Sequence, residues 1–161
     1  MADVTRTAGV TAWRHGAPGK SEEDAKSNLL RLRAGILGMV IGGNKVEGEH
    51  NLHAHPDTDT VWFVLSGKVR FYGADDVLIG EIGPNEGVAV PKGVPYRYEN
   101  AGEGPHQICH ITARDLSATD THRVDYSPYT EGQKARRARP DYNHKSARMA
   151  TEEDRRAASA L

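Results

Sequence analysis

Residues 48–67, GEHNLHAHPDTDTVWFVLSG, are the stretch that decides the fold. VWFVL (61–65) is a run of branched and aromatic residues that reads as a buried strand, and Ser66-Gly67 closes it with a turn signal. Just ahead of that strand stand His53 and His55, one residue apart. Alternate side chains of an extended strand point to the same side. Both imidazoles are therefore expected to face one way, close enough to grip one ion or one substrate. Imidazole suits zinc, iron, copper and nickel, and near neutral pH it is mostly uncharged and able to ligate.

On either side of this stretch the chain continues as short strands separated by turn signals. LLRLRAG (29–35) alternates briefly, and ILGMVIGG (36–43) is an apolar strand ended by glycines. KVRFYG (68–73) reads as the second half of a hairpin with VWFVL. Ala74-Asp75-Asp76 turns the chain into VLIGEI (77–82), and Gly83 to Gly87 turns it into VAV (88–90). A Pro91-Lys92-Gly93-Val94-Pro95 turn leads to YRYEN (96–100), and AGEGP leads to QICHIT (107–112). Strands at such close, regular spacing predict an all-β sandwich or barrel over 28–113, with no sustained helical period.

The flanks differ in character. Residues 1–27 read as a polar, turn-rich N-terminal arm, with a helical turn at 21–26 and strand-like residues around Trp13. Residues 114–161 read as a polar, irregular extension that includes a basic stretch, KARRARPDYNHKSAR. It ends in a short helix over TEEDRRAASAL, where Thr151 caps and acids fill the first turn.

A chain of 161 residues fits one domain able to bury a core without disulfides. Its 21 basic and 22 acidic side chains leave a formal charge of −1, so no global field draws it to nucleic acid or acidic membranes. The single cysteine, Cys109, excludes an internal disulfide or a multi-cysteine zinc site and fits a reducing compartment. Its reading is a small buried hydrophobe rather than a nucleophile. No signal-like or membrane-length apolar run is present, so a cytoplasmic location is expected, with neither nucleic acid nor membrane as partner.

The residues from Gly48 to Asn100 resemble the two signature motifs of the cupin superfamily. In the first, a histidine pair is followed by a glutamate and, after six residues, a glycine. Here these positions are His53, His55, Thr60 and Gly67. In the second, proline, glycine, histidine and asparagine become Pro91, Gly93, Tyr96 and Asn100, and Asn85 stands where that motif usually begins with glycine. Threonine and tyrosine thus replace two of the four usual metal ligands. The text is similar to that of small single-domain bacterial cupins. The resemblance implies a double-stranded β-helix barrel whose pocket is lined by His53, His55, Thr60 and Tyr96. It also implies a divalent transition metal (Fe, Zn, Ni or Mn), and a homodimer in which the N-terminal arm crosses to the partner's sheet.

For the metal, His53 and His55 are the first ligands, with His110 on QICHIT or a Tyr96 phenolate as the third. Ile108, His110 and Thr112 share one face of that strand. Trp62 and Tyr98 are candidate pocket walls beside Thr60. Asp59 points away from Thr60's face unless a bulge re-aims it; with Tyr96 and His110 it completes the catalytic candidates. His50, three residues before His53, falls on the opposite face unless the strand starts later.

The first functional expectation is an enzyme acting on a small organic metabolite, of dioxygenase, isomerase or lyase type. The alternative is a metal-free cupin that binds a sugar or aromatic acid without turnover. A barrel that merely scaffolds is the third.

Overall fold

The computed structural model describes residues 3–7, 10–14, 26–44, 50–138 and 146–160. The chain begins with a hairpin, β1 (Asp3–Thr7) and β2 (Val10–Arg14). A second hairpin joins β3 (Lys26–Ala34) and β4 (Leu37–Asn44). Then come β5 (His53–Ala54), β6 (Thr58–Ser66), β7 (Val69–Tyr72), β8 (Leu78–Ile82), β9 (Gly87–Val90), β10 (Arg97–Asn100) and β11 (His106–Arg114). Beyond them lie β12 (Arg123–Asp125), α1 (Glu131–Arg137), β13 (Ala147–Met149) and α2 (Glu152–Ala158). Each apolar run read as a strand between 29 and 112 is one. The helical turn expected at 21–26 lies outside the described residues except for Lys26, which opens β3.

Two sheets face each other. One runs β3-β4-β11-β6-β9 and the other β10-β7-β8. A third, β13-β12-β5, is tied to β10's end of the second sheet by a backbone bridge between His53 and Tyr96. Each of these two residues donates its N–H to the other's carbonyl, at 3.1 and 2.9 Å. The core between the sheets joins Trp62 and Val64 of β6, Val69 and Phe71 of β7, Val90, Tyr96, Tyr98 and Ile108. This is the expected all-β, double-stranded β-helix arrangement.

The pairing of VWFVL with KVRFYG is corrected by the topology. β6 pairs with β11 and β9, whereas β7 pairs with β10 and β8. Gly67 carries the chain from one sheet to the other instead of folding it back. Its φ is +75°, and a Cβ there would stand 2.7 Å from the Cα of His106. Only glycine meets both conditions without strain. Gly93 of the second motif has φ +81°. Asn85, in place of the motif's first glycine, has φ +70°, a conformation that asparagine tolerates better than most residues.

The C-terminal part is more ordered than its polar text suggests. β12 runs antiparallel to β5 and parallel to β13, so residues beyond 114 extend the sheet that carries His53. The expected terminal helix is present as α2. Thr151 caps it through a reciprocal capping box with Asp154, and Arg148 grips the Asp154 carboxylate with both ends of its guanidinium, at 2.6 and 3.0 Å. Among the described residues no helix is long and apolar enough to cross a membrane.

Candidate functional site

Alternation along β6 sorts its side chains cleanly. Thr60, Trp62 and Val64 are buried between the sheets, while Asp59, Val61 and Phe63 are exposed. On β11 the inward residues Ile108, His110 and Thr112 lie opposite Val64, Trp62 and Thr60. His53 is 2% exposed and Tyr96 likewise. The sequence-derived lining residues Thr60, Trp62, Tyr96 and Tyr98 are therefore all interior.

The rings form one connected cluster. His53 lies 4.8 Å from Tyr96 and 5.1 Å, edge-on, from His55. Trp62 sits 6.1 Å from Tyr96, 5.1 Å from Tyr98 and 3.8 Å from His110, with which it stacks. Tyr98 stacks on His50 at 4.5 Å and meets His106 edge-on at 6.2 Å. Five imidazoles thus rim a tryptophan–tyrosine centre.

Two features set the chemistry of this cluster. The Asn51 carbonyl lies 2.7 Å from His53 Nδ1. A carbonyl only accepts, so that nitrogen carries a proton, and the neutral ring has its lone pair on Nε2. Burial pushes the Tyr96 phenol up to about 12, despite partial offsets from the Trp62 indole and Arg123. Tyr96 is therefore a proton holder and hydrogen-bond donor at ordinary pH. The buried Trp62 indole N–H is directed at the Tyr96 phenol, where its donor character opposes part of that rise.

Asp59 lies outside. Its carboxylate accepts the Lys92 backbone N–H at 2.9 Å on the exposed face, and the β6–β11 register passes Asp59 without a bulge. The re-aiming that would have given it a catalytic position does not occur. His50, which strict alternation would have turned away, joins the cluster because β5 starts only at His53. Its Nε2 lies 3.2 Å from the Tyr98 hydroxyl. Burial raises the pKa of the Cys109 thiol, in keeping with a hydrophobic role.

Among the described residues no group of three or more His, Cys, Asp and Glu side chains is gathered as ligands. His53 and His55 supply two imidazoles, Thr60 is a poor ligand, and Tyr96 would have to surrender a firmly held proton. The described donors do not fit the four-ligand centre that the motif's usual residues would build.

Beside the cluster, His50 also borders a surface groove of about 490 Å³, which includes Arg97, Glu99, Tyr126 and Arg155. Arg97 is paired there with Asp76 and Glu99, at 2.7 and 3.0 Å. Arg97 alternates with the interior residues Tyr96 and Tyr98, but nothing in the local text announces the groove, which residues distant in sequence assemble.

Comparison with known proteins fits this geometry. Residues 40–112 match the family model described as a cupin domain. No curated protein matches the chain. A conserved protein with a double-stranded β-helix domain from Klebsiella pneumoniae is 16% identical, with a TM-score of 0.52 over 64% of this chain and 81% of that one. A protein containing a cupin-2 domain from Shewanella frigidimarina is 26% identical, with a TM-score of 0.44 over 55% and 79%. The DMSP lyase DddQ from Ruegeria pomeroyi is 20% identical, with a TM-score of 0.49 over 61% and 47%. With motif glycines at turns that need them and His53 buried next to Tyr96, residues 40–112 match a cupin domain and the fold is that of double-stranded β-helix proteins.

Proposed function

We propose that this cupin binds a small organic molecule bearing a carboxylate or carbonyl oxygen, such as an aromatic acid or a sugar acid, at the His–Tyr–Trp cluster. Any chemistry there runs by hydrogen bonding and proton exchange among the rings. The observation that carries this reading is the fully buried Tyr96 phenol, held protonated between the Trp62 and His53 rings. A phenol donor on an aromatic floor suits an acceptor oxygen on a flat ligand. His53, with its Nδ1 proton committed to Asn51, offers Nε2 for proton exchange. The groove at His50 is the proposed approach.

The test combines metal analysis with thermal shift. The purified chain is expected to hold well under one equivalent of transition metal. Within a panel of aromatic and sugar acids, one compound should raise its Tm, and the shift should vanish in Trp62→Phe and His53→Ala. A panel without effect on the wild type, or a shift unchanged in both variants, overturns the reading in favour of a scaffold.

A second reading has one observation in its favour. Metal-bound histidines commonly donate their other ring N–H to a carbonyl, as His53 does to Asn51. On that reading His53 and His55 would hold a divalent metal able to polarise a substrate oxygen. About one equivalent of metal, lost in both His53→Ala and His55→Ala, would establish it.

We also propose a homodimer. Support comes from the outer face of the five-stranded sheet, where Val61, Phe63 and Ile111 are exposed beside Met39, Ile41 and Cys109.

A further inference from the structure

His53 is oriented by a residue that is itself held by the distant C-terminal extension. Asn51 accepts the Nδ1–H of His53 through its backbone carbonyl, at 2.7 Å. Among the described residues, the other hydrogen bonds of Asn51 run to residues beyond 122. Its N–H donates to Gln133 Oε1 at 3.1 Å, and its Nδ2 to Asp125 Oδ1 at 2.8 Å and the Ser127 carbonyl at 3.0 Å. Its Oδ1 accepts from Gln133 Nε2 at 2.8 Å and from Arg123. Gln133 Oε1 also accepts the Thr130 N–H at 3.0 Å, and Arg123 pairs with Asp125 at 2.7 Å. Asn51, Asp125 and Gln133 are each 3% exposed. A polar network so fully satisfied and so deeply buried admits few alternative arrangements.

We propose that residues 123–133 are a working part of the site: through Gln133 and Asp125, with Ser127 on the Leu52 N–H, they fix the main chain on both sides of Asn51, whose carbonyl in turn selects the Nδ1–H tautomer of His53. Asn51 is then a positioning residue, and the extension decides which ring nitrogen of His53 faces the ligand. The use of that nitrogen rests on the function proposed above; the coupling to the extension does not. A merely structural tail would stabilise the sheet without choosing a tautomer. In this network the Gln133 acceptor is aimed at the N–H of the very residue whose carbonyl takes the imidazole proton.

The test is ¹⁵N NMR of the imidazole nitrogens in the full chain, with His53 assigned by a His53→Gln variant. In the neutral ring, the wild type is expected to show the Nδ1–H signature at His53. Gln133→Ala should convert it to the Nε2–H form that exposed imidazoles prefer. An Nε2–H ring in the wild type overturns the proposal without any variant, as does a tautomer unmoved by a folded Gln133→Ala. If the tautomer responds while the aromatic and sugar acids fail to bind the wild type, the coupling stands and the proposed ligand falls.

Discussion

His110 and Trp62 face each other across the β11–β6 ladder with their rings 3.8 Å apart and within 4° of parallel. The register makes them direct cross-strand partners on the inward face, so the imidazole lies flat on the indole. Replacing His110 by alanine is expected to destabilise the fold by about 1–3 kcal/mol, through lost ring contact and a small void. It should also brighten Trp62 emission by removing a quencher. Fluorescence and urea unfolding in a Trp13→Phe background, which leaves Trp62 as the sole tryptophan, check both. Unchanged emission would mean that the rings do not stack.

The strands and the inward set Thr60, Trp62, His110 and Tyr96 were legible because strand alternation is a local property of the text. The partners of β6 and β7 were not. A glycine turn looks the same whether the chain folds back on its own sheet or crosses to the opposite one, and only long-range pairing decides. His50 was misplaced because alternation was carried past the start of β5, where the backbone is not yet a strand. The clasp of Asn51 by Asp125 and Gln133 had no sequence signal. Its members lie 74 and 82 residues apart, and each is an ordinary polar residue in its own neighbourhood.

Tyr96 makes the protein sensitive to alkali. Its phenol is held up to about 12, against an ordinary value near 10. Above pH 10 the unfolded chain sheds this proton while the native state keeps it, so stability falls as pH rises from about 10 to 12. The whole loss is about 3 kcal/mol, and the residue contributes no pH dependence below that window. Tyr72 and Tyr126 are also raised, so the diagnostic is the difference from Tyr96→Phe, which should lose part of the alkaline slope. Parallel unfolding curves for the two proteins across this range would refute the assignment.

Asn51→Ala is expected to cost about 3 kcal/mol, more than an exposed polar substitution, because it strands buried groups of Asp125 and Gln133 together. The double variant with Gln133→Ala should cost clearly less than the sum of the two single changes, since both remove the same bonds. Strict additivity would show that the clasp does not act as a unit.

The proposed homodimer predicts that Phe63→Glu, on the exposed face of β6 opposite Cys109, yields a monomer in sedimentation without loss of fold. A charge set among Val61, Ile111 and Met39 has no partner if that face is covered and is harmless if it is wet. A wild-type monomer, or a variant that still dimerises, would place the contact elsewhere.

Gly67→Ala tests the crossing between the sheets. A β-carbon at φ +75° meets both an unfavourable backbone region and the His106 backbone, 2.7 Å away, with the Pro105 carbonyl at 2.9 Å. None of these is the movable end of a flexible side chain, so relief requires β11 to shift away from β6 at its Gln107 end. The backbone conformation alone costs about 1–2 kcal/mol, and the contact adds to it. Displacement there would also move His106 relative to Tyr98, whose rings now meet edge-on. The expected result is a loss of more than about 2 kcal/mol in urea unfolding, with amide exchange quickened first at residues 66–69 and 105–108. A variant as stable as the wild type would show that the crossing does not depend on glycine at this position.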